Sequence, residues 1–253
     1  MSTITLKSVT KEYDTGSRTK KKTLPAVQDI DLTIEQGEFV FVLGSSGAGK
    51  STLLHLMAGD IAPTIGHVFL DDIDLAKVPE RRRPQIRRRY GVVWQDPKLI
   101  EDRTIFENIA ITMRAAGMRR KEIQEAVPKA LGIVGLRKTL DSFPHEISGG
   151  ERMRIELARA IVNSPDILIV DEPTANLDND TAWDMIQLFQ EINRRGTTIV
   201  MATHAKSFVN ILRKRVVTLA DGKVIGDVKN GRYGYISHRF SRAYTPGKLF
   251  RSH

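Results

Sequence analysis

Apolar and polar residues alternate near the start of the chain, at Ile4, Leu6 and Val9 and again over residues 30–34. Such alternation places the apolar side chains on one face of a strand. A loop rich in Gly, Ser and Lys, over residues 14–23, separates the two patches. We therefore predict two antiparallel strands.

The next pattern is an uninterrupted apolar run over residues 39–43, Phe-Val-Phe-Val-Leu. A strand that is covered on both faces in a parallel sheet has this composition. A helix is predicted to follow from Lys50 towards Met57 and to end near Gly59.

Helical spacing dominates the middle of the chain, from about residue 98 to residue 163, where no strand pattern occurs. Gly117, Gly132, Gly135 and Pro144 are expected to break this segment into separate helices. We interpret the segment as a helical insertion.

Strand patterns return over residues 167–170 and 198–201, with a helix-length segment over residues 181–194 between them. A strand, helix and strand in this order predict a parallel sheet. Residues 216–220 and 223–228 flank Asp-Gly, a two-residue hairpin turn. The predicted fold class is α/β, with a parallel-sheet core, an N-terminal antiparallel β subdomain and an inserted helical subdomain.

The length fits one large α/β domain or two small ones, and the composition suits a reducing compartment without establishing one. The 253 residues include no cysteine, which excludes disulfides and thiolate metal sites. The first residues lack a basic leader followed by an apolar core, and the longest apolar runs fall short of the about 18 residues that span a bilayer. We expect a protein that is neither exported nor membrane-spanning.

The formal net charge of +9 is concentrated in patches, at residues 20–22, at residues 81–89 and after Asp227. Basic patches are typical both of nucleic-acid binding and of attraction to an anionic lipid surface. The tail over residues 229–253 combines Lys and Arg with Tyr and Phe and has no acidic residue. We expect this tail to contact an anionic membrane surface; the alternative is a solubilising extension outside the packed domain.

A glycine-rich loop between the predicted buried strand and the first helix matches the P-loop pattern Gly-x-x-x-x-Gly-Lys-Ser. Glycines let consecutive N–H groups face a phosphate, and the helix N-terminus adds its positive dipole end. The residues predicted to bind nucleotide are Gly44, Ser45, Ser46, Gly47, Ala48, Gly49, Lys50, Ser51 and Thr52. Lys50 is expected to reach the β- and γ-phosphates, and Ser51 to coordinate Mg²⁺. An ordinary strand-to-helix turn would not need Gly-Lys-Ser.

Two adjacent carboxylates, Asp171 and Glu172, end the apolar strand predicted over residues 167–170. The carboxyl ends of parallel strands form the ligand-binding edge of a sheet. One acid there can orient a metal while the next polarises an attacking water. We predict Asp171 as a metal-orienting residue and Glu172 as the general base of a nucleoside-triphosphatase. An isolated acidic pair at a strand end is usually without function, but the P-loop upstream argues against that interpretation.

A second helix N-terminus suited to an anion follows Ile147, where Ser148, Gly149 and Gly150 precede apolar residues at helical spacing. P-loop proteins include helicases, kinases and GTPases, so the P-loop and the acidic pair do not choose among them. A second phosphate-binding helix end in the same chain narrows the choice among these classes of P-loop protein.

With this segment the chain resembles the ABC ATPase family, whose signature Leu-Ser-Gly-Gly-Gln is represented by Ile147-Ser148-Gly149-Gly150-Glu151. The resemblance extends to about residue 228. It implies a homodimer in the ATP state that encloses two ATP molecules, in which Ser148 and Gly150 contact the γ-phosphate on the P-loop of a second copy. Ile147 and Glu151 are departures that affect the fine geometry of the signature rather than its role.

Other family positions match one at a time. The resemblance implies that Tyr13 stacks on adenine, that Gln95 meets Mg²⁺ and communicates with a membrane partner, and that His204 touches the γ-phosphate. Asp178 matches an aspartate that communicates across the dimer, whereas Ala205 departs from the aspartate that often follows the histidine. Taken singly, the four matching residues have ordinary explanations as a strand residue, a turn former, a satisfied histidine and a helix cap.

Within the family, residues 86–96, 102–110 and 201–204 resemble the cell-division group called FtsE. This resemblance implies an FtsX-type integral membrane protein as partner, a peripheral location on the cytoplasmic face of the cell membrane, and regulation of cell-wall hydrolysis. ATPase subunits of lipoprotein or macrolide exporters share many of these residues and are the alternative. A soluble ABC ATPase acting on nucleic acid is a third hypothesis, but the chain lacks the long coiled coil or second ATPase domain typical of that class.

The predicted domain organisation is an ATPase domain over residues 1–228, with the helical insertion at about residues 98–163, and a basic and aromatic extension over residues 229–253.

Overall fold

Short strands and amphipathic helices alternate along the described residues, 2–13 and 25–234, of the computed structural model. The strands are β1 (Ile4–Lys11), β2 (Val27–Ile34), β3 (Phe39–Leu43), β4 (Ile65–Leu70), β5 (Ile73–Asp74), β6 (Tyr90–Val93), β7 (Ile167–Asp171), β8 (Thr198–Ala202), β9 (Arg215–Ala220) and β10 (Lys223–Val228). The helices are α1 (Lys50–Met57), α2 (Arg83–Arg87), α3 (Ile105–Ala115), α4 (Arg120–Ile133), α5 (Gly149–Ile161), α6 (Asn179–Arg194) and α7 (Lys206–Leu212).

These elements divide into two units. The first unit contains the described residues up to Val78 and those from Val200 onward, and the second is Pro79–Ile199. Strand β8 therefore begins in the second unit and ends in the first.

The first unit contains an antiparallel sheet with the strand order β2-β1-β4-β5. Strands β1 and β2 pair with Ile4 opposite Ile34 and Leu6 opposite Leu32, and all four side chains are buried. The period-2 pattern therefore packs one face of the pair inward. The predicted antiparallel pair at the start of the chain is confirmed.

A second sheet in the first unit has the order β10-β9-β3-β8, and β3 runs parallel to β9. All five residues of β3 are buried, as its continuous apolar sequence predicts. Strands β9 and β10 form the predicted antiparallel hairpin. Its turn residues, Asp221 at φ 47° and Gly222 at φ 75°, are both left-handed, which is the geometry that favours Asp-Gly in such turns.

The second unit pairs β6 with β7 in parallel and carries helices α2 to α6. Residues 98–163 contain α3, α4 and α5 and no strand, as the spacing predicts. Gly117 and Gly135, at φ 76° and 77°, follow the ends of α3 and α4. The expectation that Gly132 breaks a helix is wrong, because α4 runs through it to Ile133.

Strands β4, β5 and β6 and the short helices α2 and α7 are not predicted by the hydrophobic pattern. A glycine interrupts both of the longer missed strands for a tertiary reason. A Cβ on Gly66 would lie 2.3 Å from the Ser8 carbonyl oxygen, and one on Gly91 would lie 2.5 Å from the Ala160 carbonyl oxygen. Close backbone approach therefore requires glycines that weaken the local strand pattern.

Among the described residues, no helix has the length and apolarity needed to cross a membrane. The basic and aromatic tail lies outside the described residues from residue 235 onward, so the prediction about its membrane contact stays a prediction. The proposed domain boundaries likewise stay predictions.

An arginine at the start of β9 links three strand segments of the first unit. The Arg215 guanidinium donates to both carboxylate oxygens of Asp227 at 2.8 and 2.7 Å, to Glu38 at 2.6 Å and to the Thr33 carbonyl at 2.8 Å. The hydrogen bonds that Arg215 donates to Asp227 raise the pKa of the guanidinium above its already high value. The Arg215 side chain is only 14% exposed, so these hydrogen bonds are largely shielded from water.

We expect Arg215→Ala to lower the free energy of unfolding by about 2 kcal/mol, because it removes the guanidinium that pairs with two half-buried carboxylates. Urea unfolding of both proteins measures the difference. Arg194→Ala is the matched control, since Arg194 pairs with Glu191 on the surface and is 70% exposed; it should change stability by at most about 0.5 kcal/mol. Equal losses from the two substitutions would contradict a structural role for Arg215.

Candidate active site

The glycines of the loop over residues 44–49 are required by close backbone contacts. A Cβ on Gly44 would lie 2.7 Å from the Leu219 carbonyl oxygen, and one on Gly49, at φ 100°, would lie 2.3 Å from the Ala26 carbonyl oxygen. Gly47 is also left-handed, at φ 77°. No larger residue fits the first two positions, so the loop keeps one curled path between β3 and α1.

The hairpin turn between β9 and β10 supports this loop. Gly222 donates its N–H to the Ala48 carbonyl at 3.2 Å and accepts a hydrogen bond from the Gln28 N–H at 2.7 Å. A Cβ on Gly222 would lie 3.0 Å from the Ala26 carbonyl oxygen. The Asp-Gly turn is thus part of the framework of the loop as well as the end of a hairpin.

Lys50 is buried at the start of α1, with 8% of its surface exposed. Its ammonium donates to the carbonyls of Gly44 at 3.1 Å and Ser45 at 3.2 Å. His204 follows β8, and its Nε2 atom lies 3.0 Å from Lys50 Nζ. Two predicted site residues that are 154 positions apart are therefore in direct contact.

The N-terminus of α1 fits an anionic group. Its N-cap is Gly49, which has no side chain to cap the first-turn N–H groups, whereas Thr104, Ser148 and Asp178 cap α3, α5 and α6. The first turn also carries Ser51, which is exposed, and Thr52, which is half-buried. Uncapped N–H groups, a lysine ammonium and hydroxyls together match the needs of a phosphate.

Tyr13 lies two residues beyond the end of β1 and is 49% exposed. The Lys11 ammonium is 5.4 Å from the centre of its ring. An exposed aromatic face of this kind is available for stacking on a flat ligand.

In the second unit, Asp171 is the last residue of β7 and is only 6% exposed. Within the described part of the chain, its buried Oδ1 atom has no hydrogen-bond partner. A buried carboxylate oxygen without a donor is costly, and a hydrated cation would satisfy it. Glu172, which follows, is half-buried and has a left-handed backbone at φ 48°, a conformation uncommon for a non-glycine residue.

Ser148 is the N-cap of α5 and forms a capping box with Glu151. The Ser148 hydroxyl accepts from the Glu151 N–H at 3.3 Å, while one Glu151 carboxylate oxygen accepts from the Ser148 N–H at 2.9 Å and from its hydroxyl at 2.7 Å. These bonds from Ser148 lower the pKa of Glu151, so the residue is ionised at neutral pH. The predicted helix N-terminus at the signature is confirmed.

Asp178 caps α6 by accepting from the N–H groups of Asp180 and Thr181 at 3.1 and 3.0 Å and from the Thr181 hydroxyl at 2.6 Å. The Thr181 hydroxyl is the main cause that lowers the pKa of Asp178. A cavity of about 460 Å³ brings Asp178 together with Ser148, Gly149, Gly150 and Glu151. Asp178 is therefore a helix cap, as the ordinary explanation of this residue predicts. Its carboxylate also lies beside the signature.

Gln95 is exposed two residues after β6, next to the half-buried Trp94. The segment after Gln95 is tied to α5, because Arg159 donates to the Lys98 carbonyl at 2.8 Å and to the Glu156 carboxylate at 2.6 Å. Burial raises the pKa of Glu156, and Arg159 opposes that shift. Sequence reasoning missed the ion pair between Glu156 and Arg159, because Glu156 lies among the buried residues of α5. The one signal in the sequence is an acidic residue three positions before an arginine.

Comparison with known proteins agrees with this geometry. Residues 27–175 match the model of the ABC transporter family. The cell division ATP-binding protein FtsE of Bacillus subtilis is 43% identical over 91% of this chain and 98% of its own length. The methionine import ATP-binding protein MetN 2 of Rhodococcus jostii is 40% identical over 88% of this chain and 64% of its own length.

Solved structures match the fold as well. The dimeric post-hydrolysis state of the ATP-binding cassette MJ0796, bound to ADP and Pi, is 31% identical with a TM-score of 0.81, and the match covers 91% of this chain and 100% of that one. The curled loop, the capped signature helix and these similarities lead to one conclusion: this chain belongs to the ABC transporter family.

Proposed function

We propose that this protein is the ATP-hydrolysing subunit of a cell-division complex, working as a homodimer that drives a membrane protein. The observation that carries the proposal is the contact between Lys50, at the start of α1, and His204, which follows β8. It joins the charge that would bind phosphate to a residue that could sense the phosphate. ATP hydrolysis is the chemistry of this family.

Nucleotide binding is assigned to the first unit. The backbone of Gly44, Ser45, Ser46, Gly47, Ala48 and Gly49, together with Lys50 and Thr52, holds the phosphates. Lys50 is already desolvated and aligned by two carbonyls, so little reorganisation is needed when a phosphate replaces them. Tyr13 stacks on the adenine, and His204 contacts the γ-phosphate.

Asp171, Ser51 and Gln95 would hold Mg²⁺, and Glu172 is the general base. The fit to a cation is supported by the unsatisfied Oδ1 atom of Asp171. Bound Mg²⁺ would neutralise charge that develops on the phosphates. Glu172 accepts the proton of the attacking water, which requires a carboxylate held by the rigid strand end that precedes it.

Dimerisation assigns the second phosphate contact to the signature. Ser148, Gly149 and Gly150 present a helix N-terminus whose natural ligand is an anion. In a head-to-tail dimer this terminus serves the nucleotide on the P-loop of the second copy, and Asp178 communicates between the copies. The dimeric arrangement of the similar cassette MJ0796 supports this assembly.

Sequence identity to several cell-division proteins favours the cell-division role. The FtsE proteins of Bacillus subtilis, Mycobacterium tuberculosis and Escherichia coli are 43%, 42% and 40% identical to this chain. We assign an FtsX-type membrane protein as the partner and the cytoplasmic face of the cell membrane as the location. The ATPase subunit of a lipoprotein or macrolide exporter is the alternative that the partner experiment below distinguishes.

We expect Glu172→Gln to bind ATP normally but to hydrolyse it about 10²- to 10⁴-fold more slowly, which is the usual contribution of a positioned base. Steady-state phosphate release measures the rate. Glu191→Gln, on the exposed face of α6, removes a carboxylate of similar size and should leave the rate unchanged. A rate near wild type for Glu172→Gln would place the base elsewhere.

Lys50→Ala and Ser148→Arg should separate the two phosphate contacts. Without the Lys50 charge, ATP should no longer raise the melting temperature, because a ligand stabilises only the state it binds. Ser148→Arg leaves the chain's own loop intact, so ATP should still raise its melting temperature while dimerisation and hydrolysis fail. Equal loss of nucleotide binding in both variants would argue against a two-chain site.

The partner is tested by isolating membranes from cells that express Glu172→Gln, since the trapped ATP state should retain its complex. We expect an FtsX-type membrane protein to copurify with ATP present, and less of it with Lys50→Ala. Recovery of a lipoprotein or macrolide exporter subunit instead would replace the cell-division assignment while leaving the ATPase assignment unchanged. Recovery of nucleic acid without a membrane protein would support the third hypothesis.

A further inference from the structure

The signature of this chain ends in Glu151, and its carboxylate occupies the helix end that an incoming phosphate needs. One oxygen of Glu151 accepts both the N–H of Ser148 and its hydroxyl proton. A serine hydroxyl has one proton to donate. Ser148 therefore cannot donate to a phosphate until it releases Glu151.

The charges around this helix end are also unfavourable for an anion. The cavity that contains the signature is lined by two carboxylates, Glu151 and Asp178, and by one guanidinium, Arg154. Arg154 is already paired with Asp184 at 3.0 Å. A γ-phosphate that approaches Ser148 therefore meets the negative charge of Glu151. Arg154 compensates this charge only in part, because it also pairs with Asp184.

We infer that Glu151 is a positioning residue that competes with the γ-phosphate for Ser148 and so raises the ATP concentration at which the dimer closes. This inference rests on the proposed two-chain site. A glutamine at the same position keeps the capping box, because its amide oxygen can accept the same two hydrogen bonds. It lacks only the charge that strengthens those bonds and repels phosphate.

The chain offers a matched control in α3. Thr104 and Glu107 form a capping box in which the Thr104 N–H donates to the Glu107 carboxylate and the Glu107 N–H donates to the Thr104 hydroxyl, both at 3.2 Å. Glu107→Gln therefore removes a carboxylate from an equivalent cap that is not among the residues lining the signature cavity.

The experiment compares Glu172→Gln alone with Glu172→Gln carrying either Glu151→Gln or Glu107→Gln. Sedimentation velocity follows the dimer fraction as ATP is raised. We expect the Glu151→Gln form to dimerise at an ATP concentration about tenfold lower, since a competing charge-assisted hydrogen bond is removed, and the Glu107→Gln form to match the parent. Added salt should narrow the difference, because it screens a charge effect but not a packing effect.

Two further measurements keep the outcomes distinct. Binding of fluorescent ADP to the monomer should be the same in all three proteins, because Ser148 serves the second copy. The melting temperature without nucleotide should fall by a similar small amount in the Glu151→Gln and Glu107→Gln forms, because each loses one carboxylate from a helix cap. If the parent dimerises but Glu151→Gln leaves the ATP dependence unchanged or weakens it, the inference is overturned and the two-chain site stands. If the parent itself does not dimerise with ATP, both are overturned.

Discussion

Close packing of three backbone segments around the phosphate loop is the constraint on which the rest of the site depends. The loop over residues 44–49 lies against Ala26 and Leu219, with separations that leave no room for a side chain at Gly44 or Gly49. The hairpin turn at Gly222 adds a hydrogen bond to the loop. Because these contacts fix the loop, Lys50 is buried in one position and the N-terminus of α1 begins at a glycine that does not cap it with a side chain.

The N-termini of α1, α5 and α6 carry polar groups of the candidate site, and these helix ends are capped in two ways. The end of α1 has a glycine cap and leaves its N–H groups for a ligand. The ends of α5 and α6 are capped by Ser148 with Glu151 and by Asp178. In the proposed two-chain site, the side chains that stabilise these helices would have to be rearranged or tolerated when the signature meets a phosphate. Stability of the free chain and affinity for the nucleotide would then be opposed at this point.

The second unit also connects its functional segments through buried charge. Arg159 joins α5 to the segment after Gln95 through the Lys98 carbonyl, and Glu156 balances the guanidinium. The signature helix and the segment expected to face the membrane partner thus share one hydrogen-bonded network. A displacement of either element changes the geometry of a buried ion pair, for which water cannot easily substitute.

The sequence by itself predicted most of the local elements. Continuous apolar runs specify β3, β7 and β8, Asp-Gly specifies the last hairpin, and Gly-Lys-Ser marks the loop that precedes α1, because each of these patterns lies within a few consecutive residues. The tertiary structure alone decided the rest: the contact of Lys50 with His204, the strands that need Gly66 and Gly91, and the support of the loop by Gly222. These features depend on close approach between distant segments, and no local pattern encodes such distances.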